Sequence, residues 1–395
     1  MTIYCRKLSM LLPNGQSAFL WGARKTGKTT FLKANFPDSA WFDLLDTDLF
    51  ISYSKQPSLL REQILALSPS QLKKPIIIDE AQKVPLLFDE VHRLIEEKGL
   101  SFIVCGSSAR KLKRGQANLL GGRAWRYEMF PLSFSEIGDF DLLAALQKGC
   151  IPSHYLSPDP RRSLQSYVND YLKEEIQEES LTRNLPAFTR FLDAVGYSNG
   201  ELINRANIAR DCGVDSKTVK EYFQILVDTH IGFYLEPFKR RLSRQTISAT
   251  PKFYLFDVGV AGQLAKRRLE TLGGSEAGHA FEHFIISEIR AYRSYENLDF
   301  ETFFWRTKTG LEVDLVLKNR ETIVPIEIKI KKRIDKNDLK GLRAFQDEFS
   351  IPDGYLICQE KSARKVELGE GMYATILPWR DFLNQLWENS FHPFL

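Results

Sequence analysis

At 395 residues the chain has length for two or three domains with cores of their own, and 43% hydrophobic against 26% charged residues excludes a disordered polymer. A net charge of +4 excludes a polycation, so any nucleic-acid surface has to be local. The five cysteines (Cys5, Cys105, Cys150, Cys212, Cys358) lack paired spacing, no 18 apolar residues run together and the N-terminus has no apolar signal stretch; reduced thiols, no membrane span and a cytoplasmic address are expected.

The first block, residues 1–140, alternates short apolar runs with helical patterns. "SAFLWG", "AWFDL", "PIIIDE", "SFIVCG" and "AWRYEMF" read as strands, a rhythm that predicts an α/β domain with a mainly parallel sheet. "FLWGARKTGKTT" follows the first strand and opens a helix with P-loop spacing over Gly22, Ala23, Arg24, Lys25, Thr26, Gly27, Lys28, Thr29 and Thr30. Glycines let the backbone amides curl toward phosphates, Lys28 reaches the β- and γ-phosphates of ATP, and Thr29 holds Mg2+. "PIIIDEAQ" ends a strand in two acids: Asp79 positions magnesium through water and Glu80 polarises the attacking water. Downstream, Ser107 or Ser108 in "CGSSAR" is placed to sense the γ-phosphate, and Arg123 in "LLGGRAWR" is a candidate finger acting on a neighbouring subunit, which implies a homo-oligomer; its alternative is an ordinary surface charge.

Charge is uneven. Ser101–Tyr127 holds Arg110, Lys111, Lys113, Arg114, Arg123 and Arg126 without one acid, and Pro237–Phe256 is a second acid-free basic stretch. "KGCIPSHYLSPDPRR" reads as a linker or a capped connection into a helical middle domain, residues 141–270. There, "ELINRANIARDCGVDSKTVKEYFQILVDTHI" has a helix-turn-helix pattern: Ile203, Ile208 and Ala209 pack the first helix, Gly213 and Val214 turn the chain, and Val219, Phe223 and Leu226 pack the second. Asp215 or Ser216 caps the second helix, whose other side offers Lys217, Thr218 and Lys220 to a DNA major groove. Lys239, Arg240, Arg241 and Arg244 fall where the wing of a winged helix touches phosphates; a docking or lid element is the rival reading.

Residues 271–395 read as a separate α/β domain. Glu282 lies on a helix in "HAFEHFIISEI", Asp314 on a strand in "EVDLVL", and Glu327 and Lys329 alternate with isoleucines in "PIEIKIKK". Three carboxylates converging on one Mg2+ or Mn2+ with a lysine beside the attacking water make the restriction-endonuclease-like, PD-(D/E)XK pattern, with Lys329 catalytic. The same helix matches an H-x-x-E-H zinc-protease arrangement through His279 and His283, with Glu282 as base, although no protease context surrounds it.

Taken together, "GARKTGKTT", "IIIDEAQKVP", "GSSAR", "LLGGR", "FPLSFSEI", "KTVKEYFQIL", "PKFYLFDVGVA", "FEHFIISEI" and "PIEIK" resemble a widespread prokaryotic family of P-loop ATPases of the AAA type. Its C-terminal half is a domain of unknown function related to restriction-endonuclease-like nucleases. The resemblance implies an N-terminal AAA/RecA-like parallel sheet, a central winged helix and a nuclease-like end. "KGCIP" departs from it, with Cys150 where a second glycine is expected. Two functions stay open: an ATPase that binds DNA and cleaves or remodels it, and an ATP-dependent switch or adaptor that binds DNA or protein without cutting.

Overall fold

The computed structural model describes residues 4–108, 120–171, 184–239, 250–320 and 322–391. The chain divides into two compact units, one running to Leu132 and including Phe223–Ile231, the other comprising Ser133–Tyr222 and Gly232 onward.

The first unit is built on five strands that coincide with the five apolar runs: β1 (Ser17–Trp21), β2 (Trp41–Asp43), β3 (Ile76–Asp79), β4 (Phe102–Gly106) and β5 (Ala124–Glu128). They pair in the order β2-β3-β4-β1-β5, every pair parallel. β1, β3 and β4 are buried along their whole length, the near-continuous apolar character of strands covered on both faces. Helix α1 (Lys28–Asn35) follows β1, and α2 (Leu87–Lys98) lays Leu87, Phe88, Val91 and Leu94 into a core with Phe19, Phe42, Ile78 and Phe102. Parallel register brings the C-terminal ends of β1, β3 and β4 to one edge of the sheet: Trp21 pairs with Gly106, and Ile78 with Val104.

The second unit opens with "PLSFSEI", where Ser133 and Glu136 form a reciprocal capping box. The proline- and glycine-rich stretch after it is a capped connection. Pro152–Tyr155 and Pro160–Ser166 are short helices, and the Asp159 carboxylate accepts from the Arg162 amide. Gly149 adopts φ +71°, and a Cβ there would lie 1.9 Å from Asp257 Oδ1. Cys150 needs no such freedom; its φ is negative, its side chain is buried, and its amide donates to Asp257 Oδ2 at 2.7 Å. The expected second glycine is therefore dispensable.

Helices α3 (Leu185–Tyr197), α4 (Arg205–Cys212) and α5 (Ser216–Asp228) follow in the chain, the residues of α5 from Phe223 onward counting with the first unit. An eight-stranded sheet then runs β12-β13-β11-β10-β9-β8-β6-β7, with β6 (Gly232–Pro237), β7 (Lys252–Leu255), β8 (Glu301–Arg306), β9 (Glu312–Lys318), β10 (Ile323–Ile328), β11 (Asp353–Cys358), β12 (Arg364–Gly369) and β13 (Met372–Pro378). β6 pairs antiparallel with β7 and parallel with β8, so the strands flanking the second basic stretch lie in the same sheet as the C-terminal strands. β8, β9 and β10 form an antiparallel meander, and β11 continues parallel to β10. Helix α6 (Gly274–Tyr295) precedes the meander, α7 (Lys340–Phe349) separates β10 from β11, and α8 (Trp379–Trp387) closes the chain order. Among the described residues, no helix is long and apolar enough to cross a membrane.

Candidate phosphate site and candidate carboxylate–lysine site

The loop between β1 and α1 is shaped by what glycine alone accommodates. Gly22 has φ +154°, and a Cβ there would sit 2.4 Å from the Met129 carbonyl oxygen. Gly27 is left-handed at φ +98° and stands at the N-terminus of α1, where unpaired amides gather. The Thr26 hydroxyl donates to the Ala23 carbonyl at 2.8 Å, and the buried Lys28 ammonium donates to the Gly22 and Ala23 carbonyls at 2.7 and 3.0 Å. Those carbonyls hold the ammonium over the loop. Thr29 Oγ1 donates to Asp79 Oδ2 at 2.8 Å, so the hydroxyl and carboxylate expected to share magnesium already touch.

Glu80 follows directly, with φ +55°, a left-handed conformation that costs a non-glycine residue about 1 kcal/mol and that clusters at functional sites. Its carboxylate accepts from Gln82 Nε2 at 2.5 Å, and the same amide donates to Ser107 Oγ at 3.1 Å. Gln82 is buried and fits only because residue 106 is glycine, whose Cβ would meet Gln82 Oε1 at 2.2 Å. Glu80, Gln82 and Ser107 are thus one hydrogen-bonded set at the edge that carries the phosphate loop. Arg6 braces it from the N-terminal segment, donating to the Thr26 carbonyl and to the Phe130 carbonyl, each at 2.6 Å.

Arg123 stands elsewhere. It precedes β5, whose Ala124 is level with Ser17 at the start of β1, whereas the phosphate loop begins after Trp21. Five residues of strand, about 16 Å, separate the two ends. Its guanidinium pairs with Glu96 on α2, both side chains being exposed. The residues of the first basic stretch from Ala109 to Asn118, with Arg110, Lys111, Lys113 and Arg114, lie outside the described residues.

In the second unit, Ile203, Ile208, Ala209 and Val219 are buried, as the helix-turn-helix pattern requires, and the chain turns between α4 and α5 through Gly213. Asp215 caps α5, accepting from the Thr218 amide at 2.7 Å. Lys217 and Lys220 are exposed. Arg240, Arg241 and Arg244 lie outside the described residues, and Lys239 is exposed at their border.

The opposing carboxylates of β9 and β10 are set by register. Leu315 pairs with Ile326, so Asp314 lies opposite Glu327. Lys329 Nζ joins them, 3.2 Å from Asp314 Oδ2 and 2.5 Å from Glu327 Oε1, and the Ile328 amide donates to Asp314 Oδ2 at 2.8 Å. Glu327 Oε2 is buried and has no partner; burial, with Asp314 beside it, pushes the Glu327 carboxyl well above the usual range. Glu282 on α6 turns to a different cation. Lys252, on β7, lies 3.1 Å from Glu282 Oε1 and 2.6 Å from Glu312 Oε1, while Tyr254 donates to Glu282 Oε1 at 2.6 Å. Burial disfavours the Lys252 ammonium, but Glu282, Tyr254 and Glu312 outweigh it and hold its pKa well above the ordinary value. Arg306 adds a contact to Glu312 at 3.1 Å. Lys252 and Lys329 thus stand against Glu282, Asp314 and Glu327, and among the described residues no set of three acids, histidines or cysteines is spaced to hold a metal ion.

The zinc-protease arrangement is overturned. His283 is fully buried; its Nε2–H donates to the Leu255 carbonyl at 2.6 Å, which leaves Nδ1 to accept from Asn199 at 3.2 Å. Burial pushes its pKa down to about 3. Neither nitrogen is left for a metal, and His279 is 3.8 Å from Glu201 at the surface.

Comparison with known proteins gives three adjoining matches: an AAA domain over residues 14–138, and two domains of unknown function, DUF8612 over 140–271 and DUF4143 over 277–381. Residues 14–138 form a P-loop ATPase domain. Relatives of the chain include uncharacterized proteins of Mycobacterium bovis and Mycobacterium tuberculosis, each 25% identical over 332 residues, which is 82% of this chain and 72% of theirs. One from Methanocaldococcus jannaschii is 24% identical over 348 residues, 79% of this chain and 75% of its own. A solved structure, the Aeropyrum pernix ORC1 protein in complex with DNA, aligns with 64% of this chain and 86% of its own at 15% identity, with a TM-score of 0.22.

Around the phosphate loop, sequence reasoning missed Gln82 and Arg6. Gln82 had a signal, standing two residues past Glu80 in "DEAQ". Arg6 had none, since its partners are 20 and 124 residues away. Lys252 falls within the acid-free stretch Pro237–Phe256, and the structure buries it on carboxylates.

Proposed function

We propose that this protein hydrolyses ATP with magnesium in its ATPase domain and uses the nucleotide cycle to switch how its second unit engages DNA. The observation that carries the reading is the joint presence, at one sheet edge, of Lys28 over the phosphate loop, the Thr29–Asp79 pair, and Glu80 tied through Gln82 to Ser107. Residues Gly22 to Thr30 cradle the phosphates with backbone amides. Lys28 exchanges its two carbonyl partners for β- and γ-phosphate oxygens. Thr29 and Asp79 hold magnesium, which supplies charge neutralisation on those oxygens. Glu80 orients and polarises the attacking water, and Ser107 answers to the γ-phosphate. Arg123, too far from its own phosphate loop, serves the site of a neighbouring subunit in a homo-oligomer.

DNA is the partner favoured by the capped helix α5, with Lys217 and Lys220 exposed on a helix-turn-helix pattern. A restriction-endonuclease-like ancestry for the C-terminal part is supported by its element order, a helix, an antiparallel three-strand meander, a helix and a parallel strand, with Asp314, Glu327 and Lys329 meeting at the meander. We favour the switch over the nuclease because the carboxylates are already met by lysines. Cleavage, with Glu282, Asp314 and Glu327 holding Mg2+ or Mn2+ and Lys329 beside the reacting phosphate, keeps one specific observation, the buried, unpartnered Glu327 Oε2.

Labelled single-stranded, duplex and branched DNA, incubated with protein and either metal, with and without ATP, tests both readings. The switch predicts binding that changes with nucleotide and leaves every strand intact. Products that vanish with Asp314→Asn would establish cleavage, and no binding in any nucleotide state would remove DNA altogether.

A further inference from the structure

We propose that Lys252 is the resident cation of the carboxylate cluster, standing between Glu282 and β9 in the place that a divalent ion would need. The inference deepens the switch reading of the second unit and rests on it.

Three elements meet at this ammonium. Glu282 comes from α6, Glu312 from β9, and Lys252 itself from β7 at the far edge of the sheet. The side chain is 5% exposed and crosses the ring of Phe304, its nitrogen 5.5 Å from the ring centre. A lysine buried this deeply is costly unless its partners compensate it, and removing either side of such a pair strands the other. Glu282 Oε1 is doubly committed, to Lys252 and to the Tyr254 hydroxyl. A carboxylate oxygen held by an ammonium and a phenol is a poor place for a metal to displace water.

Charge counting gives the same answer. The cluster sets Glu282, Glu312, Asp314 and Glu327 against Lys252, Arg306 and Lys329, four negative groups against three positive. The single surplus negative charge suits a proton or a weakly held ion. With Lys252 neutralised the surplus becomes two, which matches the charge of a divalent cation. Residues that look metal-binding in sequence are thereby read as an ion-paired clasp between α6 and the sheet.

The test is manganese calorimetry on the full chain without nucleotide, comparing wild type, Asp314→Asn, Lys252→Met and the double variant. The expected result is equal heats for wild type and Asp314→Asn, with Lys252→Met gaining a site at least about tenfold tighter that the double variant loses. An Asp314-dependent site in the wild type overturns the proposal. So does a folded Lys252→Met protein that gains nothing. Should Lys252→Met fail to fold, the wild type and Asp314→Asn decide alone: equal heats sustain the proposal and unequal heats refute it. ATP turnover and DNA binding measured on the same proteins report on the switch reading separately, since either can fail while the manganese result stands.

Discussion

Gln82 shows how much a single side chain contributes to the ATPase edge. One amide group steadies both the Glu80 carboxylate and the Ser107 hydroxyl, the groups we propose to face the attacking water and the γ-phosphate. Without it, Glu80 is free to rotate about an already left-handed backbone. Gln82→Ala is expected to lower kcat for ATP about tenfold, a modest share of what a positioned base contributes, while KM for ATP stays within about twofold. Steady-state kinetics check this; an unchanged kcat would make Gln82 a packing residue. Lys252 teaches the complementary lesson. The sequence shows a lysine in a basic stretch, and only the pairing of distant strands reveals that its charge is spent inside the protein.

At the scale of elements, α6 ties the second unit together through Glu288. One carboxylate oxygen accepts from the Phe134 amide at 2.9 Å and the other from the Trp387 indole at 2.7 Å, so the "FSEI" turn, α6 and α8 share one buried group. Burial pushes its pKa up to about 8, with the two donated bonds pulling the other way. The folded chain then keeps a proton that the unfolded chain loses above about pH 4.5, so stability falls as pH rises toward 8. His283 has the opposite sign, losing stability as pH falls from about 6.5 toward 3. Between about pH 7 and 8 His283 is mostly neutral in both states, and the Glu288 contribution remains, at most about 1.4 kcal/mol per pH unit and falling as pH reaches 8. Denaturant melts across that window should show this loss, and Glu288→Gln should flatten it even where its overall stability is lower. Equal slopes in the two proteins would show that Glu288 is ionised in the fold.

For the whole molecule, the five parallel strands and the phosphate loop were legible because their signals are local: apolar runs, glycine spacing, an acid pair at a strand end. The helix-turn-helix pattern was legible for the same reason, its buried positions following one helical period. The carboxylate–lysine site was half legible. Asp314, Glu327 and Lys329 meet as alternation and register dictate, but Glu282 is drawn off by a lysine 30 residues away, which periodicity does not reveal. Arg123 carried a readable signal, since a residue just before a parallel strand lies at the edge opposite a loop that follows one. That placement has a consequence for assembly. If Arg123 completes a neighbour's site, Arg123→Ala should be nearly inactive alone, and mixing it with Lys28→Ala should restore turnover, because mixed assemblies pair an intact phosphate loop with an intact arginine. Absence of rescue at every ratio would return Arg123 to its surface pair with Glu96.

The central claim is that ATP is hydrolysed at the edge formed by Lys28, Thr29, Asp79 and Glu80. ATP turnover and ATP binding measured side by side on wild type, Lys28→Ala and Glu80→Gln test it most directly. The account predicts magnesium-dependent turnover in the wild type, weakened binding in Lys28→Ala, and tight binding in Glu80→Gln with turnover reduced at least about a hundredfold. Undiminished turnover in Glu80→Gln would contradict it.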